Sequence, residues 1–338
     1  MEARQVDSLP EGKGWQYEPK WDGFRCLARR NGDAVELLGR SGKSLSRYFP
    51  EMAAALTGLK HQRFALDGEL VIPVGKSLSF EALQMRLHPA ASRIRRLAEE
   101  TPSVLIAFDL LEDEKGRDLQ PQPLSERRAT LERFFATLGE AGALRLSPTT
   151  TRLADARRWL SRAGGGALDG VVAKRLDEPY KRGERVMLKI KNLRSADCVV
   201  GGFRYATARK GGRKEVGSLL LGLYNESGLL DHVGFTSALG SLDRAALTAK
   251  LERLKGTGFS GDAPGGPSRW STERTAEWVA LKPKLVVEVQ YDHVTGRRFR
   301  HGTGFLRWRP DKAPRDCSFD QLMREDRPSR LVRLLSRP

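Results

Sequence analysis

The run from Phe24 to Arg30 alternates in character, breaks at Asn31-Gly32-Asp33, and the strand pattern resumes from Ala34 to Leu38. A period of two is the signature of a half-buried strand, and a break of this composition between two such runs predicts a hairpin. The stretch YEPKWDGFR (17–25) leads into it, which puts Lys20 at the edge of a sheet. RFALDGELVIP (63–73) predicts a strand ended by Pro73, SVLIAFDLLE (103–112) a buried strand with a polar exit, and LDGVVAKR (168–175) and RVMLKIK (185–191) two more apolar strands. Helical spacing marks SFEALQMRL (79–87), the amphipathic LSERRATLERFFATL (124–138) and DARRWLSRAGGG (155–166), the last stopped by its glycines.

After Asn192 the pattern changes. DCVVGGFRY, VGSLLLGLYN, LLDHVGFTSAL, VVEVQYDHVT and FLRWRP read as about five strands, with a charged helix around Asp243 to Leu254 inserted before the last two. That count and order predict a small Greek-key barrel of the OB type, a fold whose strand face and loops commonly bind nucleic acid. The chain therefore reads as an α+β domain with mainly antiparallel sheets over residues 1–192, followed by an all-β OB-fold domain over 193–338.

A length of 338 residues suits two domains, each able to bury its own core. The 59 Lys and Arg against 42 Asp and Glu leave a formal charge of +17, more than solubility requires, which favours a polyanionic partner and nucleic acid first. The basic residues are interleaved with acids along the chain, unlike the one-sided basic helix of a membrane-surface protein. The three cysteines, Cys26, Cys198 and Cys317, form no CxxC pair, so neither a disulfide framework nor a structural zinc site is expected. The N-terminus has no apolar leader and no run approaches ~18 apolar residues, so a cytoplasmic, nucleoid-associated protein without membrane contact is the expectation.

Glu18, Lys20, Asp22, Gly23 and Arg25 form the first constellation with chemical potential. A lysine is a nucleophile only when neutral, so desolvation or nearby cations must depress it from its ordinary ~10.4. Alone, this stretch would read as a surface lysine salt-bridged beside two acids. Further along, Asp67 and Glu69 share one face of a strand and can hold a hydroxyl or a hard cation such as Mg²⁺. Asp169 precedes a glycine and an apolar strand in the same way, with Lys174 at its exit. Lys189 and Lys191 share a face, an extravagance in a core strand but apt against phosphate oxygens. Phe108, beside Asp109, is able to stack on a base. Arg307, Arg309, Asp311 and Lys312 alternate in FLRWRPDK, within a tail from Arg297 that carries twelve Lys and Arg against five Asp and Glu. The five histidines show no paired spacing, and no P-loop, GxSxG or GxGxxG motif occurs, so phosphate would have to be held by lysines and metal.

The ordered series EPKWDGFR, DGELV, FDLL, DGVVAK, KIK and RWRPDK, from about Trp15 to Lys312, resembles the motif set of the covalent nucleotidyltransferases. It is most similar to the bacterial ATP-dependent DNA ligases of the short repair type. The resemblance implies that Lys20 attacks the α-phosphate of ATP and carries AMP covalently. It implies that Glu18 contacts adenine, that Arg25 and Arg40 hold ribose and later the DNA 5′-phosphate, and that Phe108 stacks on the base. Glu69 with Asp169 would bind ribose or the metal, Mg²⁺ or Mn²⁺; Lys189 and Lys191 would steady the α-phosphate; Arg309 and Lys312 would orient pyrophosphate. The implied partner is nicked double-stranded DNA, with end-joining or repair proteins beside it, and the implied state is a monomer.

This chain departs from the family pattern at Asp169, where glutamate is more usual, and at Met187, where an aromatic residue often stands. The basic stretch RYATARKGGRKEVG (204–217) reads as a DNA clamp, with Arg209, Lys210, Arg213 and Lys214 expected on backbone phosphates. An RNA ligase or a capping-type nucleotidyltransferase shares the lysine motif and the OB domain, but the whole-chain order favours the DNA group. A binding module derived from the same fold would have lost one of Lys20, Glu69, Lys189 or Lys191; all four are present.

Overall fold

The computed structural model describes residues 1–75, 77–138, 142–163, 168–206, 214–265, 277–300 and 302–322. The chain divides into two compact units, the first holding Met1–Asn192 and the second beginning at Leu193. The expected second domain extends to residue 338, and its last sixteen residues lie outside the described residues.

In chain order the first unit contains β1 (Ala3–Gln5), β2 (Trp15–Trp21), β3 (Phe24–Asn31), β4 (Ala34–Gly39), α1 (Pro50–Thr57), β5 (Arg63–Val71), β6 (Pro73–Val74) and β7 (Ser77–Leu78). It continues with α2 (Phe80–Arg86), α3 (Ala91–Glu100), β8 (Val104–Glu112), α4 (Leu124–Leu138), β9 (Leu144–Leu146), α5 (Leu153–Leu160), β10 (Leu168–Arg175) and β11 (Met187–Lys191). The hairpin of β3 and β4 turns where Gly32 takes a positive φ of 62°, a conformation glycine adopts at no steric cost. Ser79 caps α2 by accepting from the Ala82 amide, which is why that helix starts at Phe80. Helix α5 begins at Leu153, two residues before the expected start, and ends at Leu160. The glycines expected to stop it, residues 164–166, lie outside the described residues. Helices α1 and α3 have no counterpart in the elements expected from the sequence. One is short and the other strongly charged, so neither shows a clear apolar stripe.

Two sheets organise this unit. One has five strands in the order β4-β3-β5-β8-β9, antiparallel except for β8 with β9. The other has four, β1-β11-β10-β2, antiparallel except for β1 with β11. Cys26, Leu37, Phe64, Leu66, Leu110 and Phe134 belong to the core of the first sheet, where α1 and α4 cover it. Tyr17, Val171, Leu188 and Ile190 pack with Ala156 of α5 against the second. Trp21, Val71, Ile106 and Leu168 form a smaller cluster that joins strands of both sheets and fixes the end of β2 against β5 and β8.

The second unit holds β12 (Arg194–Tyr205), β13 (Val216–Tyr224), β14 (Leu230–Ala238), α6 (Arg244–Glu252), β15 (Val279–Ala280), β16 (Val286–Tyr291), β17 (Val294–Thr295), β18 (Arg298–Phe299) and β19 (Thr303–Trp308). The strand order β13-β14-β19-β16-β12, with β12 also paired to β13, closes the sheet on itself. Closure leaves no long edge among these five strands, which is how small OB-type barrels avoid edge pairing. Phe203, Leu219, Leu221, Val233, Val287 and Val289 fill its interior, and Leu247 and Leu251 of α6 belong to the same core. Asp243 starts α6 by accepting from the amides of Ala245 and Ala246. Among the described residues, no helix is long and apolar enough to cross a membrane.

Candidate active site

Because side chains on a strand repeat every two residues, Gln16, Glu18 and Lys20 share one face of β2. Strand β10 lies beside it with Gly170 opposite Lys20, Val172 opposite Glu18 and Lys174 opposite Gln16. On the other side of β10, Gly170 also faces Lys191, and Val172 faces Lys189. Gly170 therefore sits between two lysines. A methyl group there would come within 1.9 Å of the Ile190 carbonyl oxygen, so no larger residue fits this position.

The register of β10 against β2 shifts between Leu168 and Gly170, and Asp169 is the residue in the bulge. A bulge re-aims a side chain that strict alternation would send to the other face. Asp169 reaches Lys20, its Oδ2 lying 2.7 Å from Nζ, and the Lys191 Nζ is 3.9 Å from the same oxygen. The Asp-Gly at positions 22 and 23 has a similar cause. A methyl group on Gly23 would stand 2.2 Å from the Leu70 carbonyl oxygen, so the chain can pass from one sheet to the other only with glycine here.

The electrostatics of Lys20 differ from the expectation of a depressed amine. Burial pushes it down, but Asp169, with Glu69 and Asp22 adding to it, more than offsets that and holds the ammonium above its ordinary value. In this form Lys20 is a stored cation. Glu69 is raised as well, pushed up to about 7 mainly by desolvation, which in its case favours the neutral form. Lys189 is lowered, by desolvation first and then by Lys191, Lys20, Arg40 and Arg185. Replacing Asp169 by Asn is expected to lower the pKa of Lys20. The midpoint pH for modification of that one amine by an amine-reactive reagent, followed by peptide mass spectrometry, then moves to lower pH than in the parent protein; an unchanged midpoint would reject Asp169 as the partner that holds the proton.

A second layer of polar contacts stands behind this row. Glu18 has both carboxylate oxygens engaged, Oε2 by Lys174 at 2.8 Å and Oε1 by Gln16 at 2.8 Å, and both members of the Glu18–Lys174 pair are buried. The side chain expected to contact adenine is thus the counter-ion of Lys174, and any recognition of the base by its carboxylate would have to break that pair. The Lys174 ammonium lies 4.6 Å from the Phe108 ring centroid and the Arg25 guanidinium 4.9 Å from it. Arg25 donates to both oxygens of Asp67, which also accepts from the Tyr180 hydroxyl at 2.8 Å. Asp67 is therefore an anchor for Arg25, and of the expected carboxylate pair on this strand only Glu69 faces the Lys20 cluster. Arg127 of α4 donates to both oxygens of Asp109 at 2.9 Å, and its guanidinium lies 5.7 Å from the Tyr180 ring.

Lys174, Tyr180, Arg127 and Asp109 carry no role that the sequence alone assigns. For Arg127 a signal exists: it falls between Leu124 and Leu131 on the apolar face of an amphipathic helix, where a charge must be paired. Tyr180 sits in an aperiodic stretch with no such mark.

The remaining expected residues are dispersed. Arg40 is exposed and forms a fork with Glu2, Nη2 to Oε2 at 2.7 Å. In the second unit Arg309 donates through Nη1 to both oxygens of Asp197, at 2.8 and 2.9 Å, and through Nε and Nη2 to Asp311, while the Lys312 Nζ is 4.0 Å from Asp197. Arg209, Lys210 and Arg213 lie outside the described residues; Lys214 is exposed, its Nζ 5.7 Å from the Tyr205 ring. The carboxylates around Lys20 fit a hard divalent cation. They are oxygen donors, Glu69 among them is desolvated, and they already hold one cation in the Lys20 ammonium.

Comparison with known proteins joins these observations. The sequence model of the ATP dependent DNA ligase domain matches residues 3–191, and that of the ATP dependent DNA ligase C terminal region matches residues 212–312. DNA ligase C2 of Mycolicibacterium smegmatis is 46% identical over 95% of this chain and 93% of its own length. The multifunctional non-homologous end joining protein LigD of Pseudomonas aeruginosa is 33% identical over 94% of this chain, which spans 36% of that longer protein. A solved structure of the minimal Lig E DNA ligases, 18% identical, covers 91% of this chain and all of its own with a TM-score of 0.55, a likeness of fold. With the lysine row running across β11, β10 and β2, the closed barrel that follows and the match to both ligase sequence models, the chain belongs to the ATP-dependent DNA ligases.

Proposed function

We propose that this protein seals nicks in duplex DNA in a repair setting, with Lys20 as the residue that carries AMP. The observation that carries the reading is the Lys191–Gly170–Lys20 row. Two ammonium groups flank a glycine gap with Asp169 bound to both, a geometry that stores a lysine proton and gathers charge for a phosphate.

The chemistry follows in three displacements. Lys20 Nζ attacks the α-phosphorus of ATP, an N–P bond forms, the bond to the bridging oxygen breaks, and pyrophosphate leaves. The Nζ proton has Asp169 as its nearest acceptor. An oxygen of the DNA 5′-phosphate then attacks the same phosphorus and releases Lys20, and the adjacent 3′-hydroxyl finally attacks the DNA phosphorus and releases AMP. Lys189 and Lys191 hold the α-phosphate oxygens through each step, and the arriving anion offsets the desolvation and neighbouring cations that lower Lys189. Phe108 stacks on the adenine, with Lys174 and Arg25 at its ring. Arg25, kept in one orientation by Asp67, faces the ribose. Glu69 and Asp169 are the carboxylates that would hold Mg²⁺ or Mn²⁺, which supplies positive charge against the phosphate oxygens when bound. Arg309 and Lys312 orient pyrophosphate, for which Arg309 must exchange a carboxylate partner for a phosphate.

The test is sealing of a nicked duplex with a labelled 5′-phosphate, given ATP and Mg²⁺. Sealing supports the reading. Labelling of the protein by nucleotide without sealing of DNA would redirect it to RNA ends, and labelling by GTP instead of ATP to the capping-type enzymes.

Duplex binding through Arg209, Lys210, Arg213 and Lys214 makes the affinity depend steeply on salt and little on sequence. Neutralising all four is expected to flatten the plot of log K against log salt by about 0.9 for each DNA phosphate that no longer meets a cation, so by roughly 3 to 4 in all. An unchanged slope would remove the stretch from the DNA interface. The end-joining relative favours double-strand break repair as the setting, with end-binding proteins as partners.

A further inference from the structure

The segment Met1–Gln5 lies across the cationic end of the site. Strand β1 pairs in parallel with β11, Ala3 opposite Met187 and Gln5 opposite Lys189, so it is held beside the strand that carries the phosphate lysines. Two backbone bonds fix Glu2, its amide donating to the Glu184 carbonyl at 2.7 Å and its carbonyl accepting from the Met187 amide at 3.2 Å. Its side chain is thereby delivered to Arg40. Nε donates to Oε1 at 3.2 Å and Nη2 to Oε2 at 2.7 Å, while the Arg185 Nε stands 3.7 Å from Oε2. Next to it, the Met1 carbonyl accepts from Arg25 Nη2 at 3.2 Å.

This is an anion in a nest of cations. Arg40 and Arg185 both act on Lys189, which in turn is coupled to Lys20, so the nest is continuous with the row that handles the α-phosphate. A fork of one guanidinium onto two oxygens serves a carboxylate and a phosphate equally well. A terminal phosphate brings about −1.5 to −2 charges where a carboxylate brings one, so it displaces the carboxylate once it is delivered close by.

We propose that Glu2 is an internal stand-in for phosphate, occupying the site of Arg40 and Arg185 that receives the 5′-phosphate end of nicked DNA, and that Arg185 is a second binding residue for that phosphate. The inference rests on the ligase reading. Glu2 keeps the two arginines in a paired, oriented form without substrate and must swing away when the DNA end enters. Only its side chain has to move, because the backbone bonds of β1 are independent of the carboxylate.

The experiment uses the full chain loaded with AMP, without divalent metal so that no sealing occurs, and measures fluorescence anisotropy with two nicked duplexes, one bearing a 5′-phosphate at the nick and the other a 5′-hydroxyl. Removing an internal competitor raises apparent affinity by the inverse of the competent fraction, so Glu2→Gln is expected to bind the 5′-phosphate duplex roughly 3- to 10-fold more tightly. The 5′-hydroxyl duplex is expected to change by less than about 2-fold, since only the phosphate competes for the arginine site. Glu2→Ala should act in the same direction, and Arg185→Ala should weaken the 5′-phosphate duplex selectively and cancel the gain when combined with Glu2→Gln. Equal tightening of both duplexes, no change, or weaker binding of the 5′-phosphate duplex by both Glu2 variants overturns the proposal, as does a wild type that seals nicks yet binds the two duplexes alike. A protein that never takes up AMP overturns the ligase reading itself.

Discussion

A Lys20→Ala protein takes up no label from ATP labelled at the α-phosphate and seals a 5′-phosphorylated nick at least about 10⁴-fold more slowly than the parent, the scale of loss when a covalent nucleophile is removed. Neighbouring amines do not replace it. Lys191 is bonded into the next strand but one, with its own Nζ 3.9 Å from Asp169, and Lys189 faces Val172 instead of Gly170. The informative comparison is a duplex that already carries AMP on its 5′-phosphate. Its sealing needs the 3′-hydroxyl, the phosphate-binding cations and divalent metal, but no nucleophilic lysine, so the variant should keep a substantial part of the parent rate. Both assays read product on a denaturing gel. If Lys20→Ala still becomes labelled, the nucleophile is elsewhere; if it loses both reactions equally, Lys20 acts chiefly by holding charge in place.

The second large effect concerns stability. Arg127 and Asp109 are joined by two hydrogen bonds while their side chains are 0% and 3% exposed, and Arg127 Nη1 also donates to the carbonyls of Gln122 and Glu178. A bidentate pair this deeply buried is a weak stabiliser as a whole but costly to break, because the survivor is left charged in a medium that cannot solvate it. Arg127→Met is expected to destabilise the first unit by about 3–5 kcal/mol. At roughly 2–4 °C for each kcal/mol in a unit of this size, its thermal transition falls by about 6–20 °C. The double variant Arg127→Met, Asp109→Leu should recover most of that loss, since no unpaired charge remains. A single-variant loss below about 1 kcal/mol, with no recovery in the double variant, would show that the pair is not desolvated. Its location also matters for function. The Arg127 guanidinium lies against Tyr180, Tyr180 bonds Asp67, and Asp67 orients Arg25, so loosening the helix should disturb the nucleotide site as well.

Much of the architecture was legible because it depends on properties a strand or helix carries by itself. Alternation marks the β3–β4 hairpin wherever it packs, glycine at position 32 supplies the turn it needs, and the five long strands of the second unit announce themselves by apolar runs between turns. The lysines on one face of β11 were legible for the same reason, since a period of two is built into the backbone. Where that periodicity is absent, so is the signal: β1 is three residues long, and α3 carries more charge than apolar surface.

Partner choice is a different matter. Lys20 and Asp169 are 149 residues apart in the chain, and Asp169 reaches Lys20 only because β10 carries a bulge at that point. Whether a lysine between acids is depressed or held up depends on the balance of burial against three carboxylates, a sum over positions that no local pattern contains. In the same way, Glu18 belongs to Lys174 and Asp67 to Arg25 because of strand register, not because of spacing. The sequence by itself determined the family, the order of elements and the kinds of side chain available for phosphate, because motif spacing and periodicity survive without coordinates. Which ion is paired with which, and hence which lysine stores its proton and which arginine is occupied by Glu2, was decided only by the tertiary structure, because electrostatic energy follows distance and burial.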